Sequence, residues 1–63
     1  MTLAEAKKLM TAKAAELAAL VRGRHISYAD AESSIAGYDE WLGTAPALYD
    51  HGIEQFHNSK GGV

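Results

Sequence analysis

The chain has 63 residues, 48% of them hydrophobic, no cysteine, and a formal net charge of −2. Its size allows one domain, 1–63. The missing cysteine excludes disulfides, thiolate zinc sites and cysteine nucleophiles. The hydrophobic share excludes a wholly disordered chain, and the acidic balance argues against generic nucleic-acid binding.

A chain this short buries only about 60% of the surface its unfolded state exposes. It therefore needs an idealised helix core, self-association, or docking onto a larger partner. No apolar run approaches the roughly 18 residues of a membrane span, so no membrane partner is expected. Lys7, Lys8 and Lys13 interrupt what would be the apolar core of a signal peptide. A cytoplasmic location is the expectation that fits a chain without cysteine.

The first predicted element is a long amphipathic helix over about residues 2–22. Thr2-Leu3-Ala4-Glu5 reads as a capping box, in which hydroxyl and carboxylate each satisfy an orphan backbone group. No Gly or Pro follows until Gly23, a natural stop. At about 100° per residue, Leu3, Ala6, Leu9, Met10, Ala14, Leu17, Leu20 and Val21 fall on one arc. Lys13 intrudes on that arc, with a stem that can lie along apolar surface. The opposite face carries Ala4, Ala12, Ala15 and Ala19. That face either admits a second helix or reflects the high helix propensity of alanine.

Residues 23–27 connect to a second helix, predicted over about 28–42 and antiparallel to the first. Ser27 or Asp30 is its expected cap. Tyr28, Ala31, Ile35, Tyr38 and Leu42 recur at helical spacing, with Trp41 at the edge of the arc. Gly37 falls on the polar side. Gly43-Thr44-Ala45-Pro46 punctuates the chain. A shorter third helix is predicted over about 46–57, its apolar face formed by Ala45, Leu48, Tyr49, Ile53 and Phe56. Gly52 lies within that face, where it permits a close contact. Residues 58–63 read as a flexible tail. The expected fold class is thus all-α.

Charge divides unevenly along the chain. Residues 1–24 hold five basic and two acidic side chains, a net of +3, whereas residues 25–63 hold one basic and six acidic, a net of −5. The halves can attract each other within or between subunits, although exposed ion pairs are individually weak.

Few constellations carry chemistry. Glu54-Gln55-Phe56-His57 is an E-x-x-H step, with Asp50 one turn earlier. Di-iron carboxylate proteins use two such steps with two further glutamates. A symmetric dimer would supply both copies, with Glu16, Glu32 or Glu40 as the extra ligand. The plain reading is a solvated polar face, since these groups lie away from the apolar arc. His25, His51 and His57 lack zinc spacing, and no phosphate-binding glycine loop or nucleophile elbow is present. No cofactor, resident metal or enzymatic activity is expected. A helix-turn-helix joined at Gly43 would present Asp50 and Glu54 to phosphates, the wrong charge for DNA.

Two partial resemblances can be stated. Leu20-Val21-Arg22-Gly23-Arg24-His25-Ile26, then Ser34-Ile35 through Tyr38 to Leu42, loosely resemble the small phage head–tail joining proteins of the W type. That family implies a helix, a β-hairpin, a second helix and a ring between portal and tail, but this chain has no room for the hairpin. Its length, with Leu48, Tyr49 and Phe56 near the end, is also similar to the Rop-type plasmid regulators, RNA-binding dimers of helical hairpins. Here Gly43 and Pro46 interrupt the second helix, and the basic, aromatic RNA-binding face of the first is missing. Neither family is adopted.

The function expected is contact: a small non-enzymatic protein–protein interaction module that binds a partner protein or itself through a helix face. Size alone suggests a phage or plasmid accessory protein. The alternatives are a ring or connector subunit of a phage-like assembly, and the dimer-dependent carboxylate–histidine metal site. Aromatic residues dominate binding hot spots, so Trp41, Tyr38, Tyr49 and Phe56 are the candidate partner-binding residues. Core packing is the competing role for each.

Overall fold

A computed structural model describes residues 1–61. Three helices follow one another: α1 (Leu3–Arg22), α2 (Tyr28–Leu42) and α3 (Tyr49–Gly61). No strand occurs among the described residues, which removes the hairpin of the head–tail joining proteins. The fold is all-α, as the hydrophobic periodicity implies.

Local chemistry explains where α1 and α2 begin. Thr2 caps α1: its hydroxyl accepts from the Glu5 N–H at 3.2 Å, while its own N–H donates to Glu5 Oε1 at 3.0 Å. These two bonds satisfy donors that a helix N-terminus leaves orphaned. The Thr2 N–H, and then the Thr2 hydroxyl, hold the Glu5 carboxyl below its ordinary value. Ser27 caps α2, its hydroxyl accepting from the Asp30 N–H at 3.1 Å. That settles which of Ser27 and Asp30 is the cap.

The helix ends differ from one another. Gly43 ends α2 with φ of 78°, the left-handed conformation that glycine adopts without strain. At the end of α1, Gly23 keeps a right-handed φ of −78°, and Arg24 takes the left-handed turn at φ 61°. Gly23 is therefore the cap position, but it is not the residue that uses glycine's freedom.

The third helix departs from expectation at both ends. Residues 45–48 form turns rather than a first helical turn. Ala47 N–H donates to Thr44 O and Tyr49 N–H to Pro46 O, before Gly52 N–H to Leu48 O opens the helical ladder. The start thus moves from Pro46 to Tyr49. At the other end, residues 58–61 are helical, not tail. Arg22 Nη1 donates to the Ser59 carbonyl at 2.6 Å, satisfying one of the acceptors that a C-terminal turn leaves open. Gly62 and Val63, expected in the tail, lie outside the described residues.

Cross-helix contacts give the topology. Thr11 meets His51 and Arg22 meets Ser59, so α1 and α3 run parallel. Lys13 lies over Tyr38, and Tyr28 meets His57, so α2 runs antiparallel to both. The result is an up-down-up bundle of 32 × 19 × 14 Å, with α3 packed chiefly on α1.

The core consists of Ala6, Met10, Ala14, Leu17, Ala18, Ala31, Ile35, Leu48 and Phe56. Gly52 allows the helices to close on it. A Cβ there would lie 2.7 Å from Ile35 Cγ2 and 2.8 Å from Met10 Sδ, inside any tolerable contact.

Candidate functional site

The bundle has two unlike ends. The turn end holds residues 23–27, the start of α2 and the close of α3. The loop end holds the start of α1, the finish of α2 and residues 43–48.

At the turn end the aromatic groups are engaged with each other. Tyr28 meets Phe56 edge-on, with ring centroids 5.4 Å apart. Its hydroxyl is hydrogen-bonded to His57 Nε2 at 2.7 Å. Phe56 is completely enclosed, so a partner cannot touch it. This corrects its place among the candidate binding residues: it is the centre of the core. It occupies the middle of the α3 face that packs on α1 and α2.

The loop end differs. Four large apolar side chains are exposed in this half of the molecule: Met1, Leu3, Leu9 and Trp41. Trp41, which the sequence places at the edge of the α2 arc, is 73% exposed. Its ring nonetheless has a fixed neighbour, stacking on Tyr38 at a centroid distance of 5.4 Å and an interplanar angle of 20°. Lys13 Nζ lies 5.2 Å from the Tyr38 ring centroid and 3.1 Å from Glu16 Oε2. Tyr38 is half-buried and joins core to surface, while Tyr49, also half-buried, packs against the core from α3.

Leu3 and Leu9 belong to the apolar arc of α1 yet remain exposed. Leu9 stands at the flank of the arc, between the buried Ala6 and Met10, whereas for Leu3 the cause is a length mismatch. Twenty residues give α1 about 30 Å, against about 22 Å for the fifteen of α2. With Lys13 level with Tyr38, the first turns of α1 run past the end of α2. Leu3, 55% exposed, therefore lies beyond the covering helix. Lys8 and Leu9, with Met1 and Glu5, line a shallow concavity open to solvent.

The last turn of α2 also holds the only buried charged side chain among the described residues, Asp39. Thr44 Oγ1 donates to Asp39 Oδ1 at 2.5 Å, and Thr44 N–H donates to the Asp39 carbonyl at 3.1 Å. The pair fixes Thr44 to the last turn of α2. Asp39 was not singled out from the sequence. Its signal was available in outline: it stands four residues after Ile35, on the buried face, with a hydroxyl five residues later.

The carboxylate–histidine set does not assemble within one chain. Among the described residues, no group of three or more His, Asp or Glu side chains is placed to hold a metal ion. His57 faces Tyr28, and His51 Nε2 lies 3.0 Å from the Thr11 hydroxyl, tying α3 to α1. No helix is long and apolar enough to cross a membrane among the described residues. No family model, curated protein or solved structure matches the chain.

Proposed function

We propose that the protein is a non-enzymatic interaction module whose loop end is the contact surface and whose anchor is Trp41. The observation that carries this reading is the state of Trp41. It is a large aromatic ring left in solvent, yet held by stacking on Tyr38, which is itself half-buried. A pre-ordered aromatic loses little side-chain freedom on binding and supplies a large apolar area. Leu3 and Leu9 are further exposed apolar side chains in the same half of the molecule, and the Asp39–Thr44 bond holds the end of α2 that carries Trp41.

Capture experiments test the proposal. Immobilised wild-type protein, Trp41→Ala and the control Glu54→Ala are exposed to extract from the source cells, and the retained proteins are compared. A protein, this chain included, that is held by wild type and the control but lost by Trp41→Ala supports the reading. Identical retention by all three would overturn it.

A further inference from the structure

We draw no further inference here: the strongest candidate, the exposed outer face of α2 that runs from Asp30 through Ser34 and Gly37 to the Trp41 ring, is an unpartnered helix face of small and acidic side chains, and nothing in the structure shows what covers it.

Discussion

The two ends of this bundle are built from similar residues and do opposite things with them. At the turn end, Tyr28, Phe56 and His57 satisfy one another, and Arg22 closes the last turn of α3. At the loop end, Trp41, Leu3 and Leu9 remain uncovered, although Leu3 and Leu9 stand on the apolar arc of α1. Overhang of α1 beyond α2 accounts for Leu3. Leu9, between the buried Ala6 and Met10, and Trp41, at the edge of the α2 arc, are exposed because they stand to the side of the buried face. A periodic arc says which way a side chain points, and its width and the reach of the partner helix decide whether anything is there to meet it.

The largest contrast between the ends should come from truncating an aromatic at each. Phe56→Ala should cost about 3–5 kcal/mol, enough to unfold so small a domain in a chemical denaturation experiment. Trp41→Ala, mostly exposed, should shift the same curve by less than about 1 kcal/mol. Equal losses would mean that the loop end is part of the core.

Two glycines sharpen the comparison of covered and uncovered faces. Gly52→Ala should destabilise by about 1–3 kcal/mol, because the new methyl meets Ile35 and Met10. Gly37→Ala meets nothing within 4 Å and should raise the melting temperature, the gain being up to about 1 kcal/mol. A stabilised Gly52→Ala protein would show that α3 does not sit tightly on α1 and α2.

A smaller effect is expected where the turn end begins. Arg24 holds a left-handed φ of 61°, which costs a non-glycine residue about 1–2 kcal/mol. Arg24→Gly should raise stability by up to about 1 kcal/mol, after the extra freedom of glycine in the unfolded chain is subtracted. A lowered melting temperature would contradict that turn geometry.

The smallest effect is at the loop end, in the capping box. The folded value of Glu5 lies below its unfolded one, because the Thr2 N–H and hydroxyl favour the carboxylate. Its contribution is therefore present above the unfolded value and is lost as pH falls through the folded value. Glu5→Gln should flatten the acid limb of the stability–pH curve slightly, and an unchanged acid limb would remove the capping carboxylate from the account of α1.

Much of this fold was legible in the residues. Thr2 with Glu5, Ser27 and Gly43 mark helix ends by local hydrogen-bond chemistry, which needs no knowledge of the rest of the chain. The periodicity of Tyr28, Ala31, Ile35 and Leu42 reproduces α2 over Tyr28–Leu42. The close contact at Gly52 was also readable, since a glycine inside an apolar face has few other uses.

What was not legible depends on tertiary partners. Arg22 meets the Ser59 carbonyl in the extended last turns of α3 from 37 residues away in sequence, and no local signal announces that contact. Pro46 fits a first helical turn by propensity, but the successive turns through Leu48 place that leucine in the core instead. Asp39 is buried because Thr44 folds back onto it. Of the candidate binding residues, Phe56 lies in the core, where three helices meet, and Trp41, at the edge of its arc, lies in solvent.

Fluorescence of the sole tryptophan tests most directly whether the loop end offers an accessible aromatic anchor. Trp41 emission should be red-shifted, as for a ring in water, and added acrylamide should quench it readily. Blue-shifted emission shielded from acrylamide in the free chain would contradict the account.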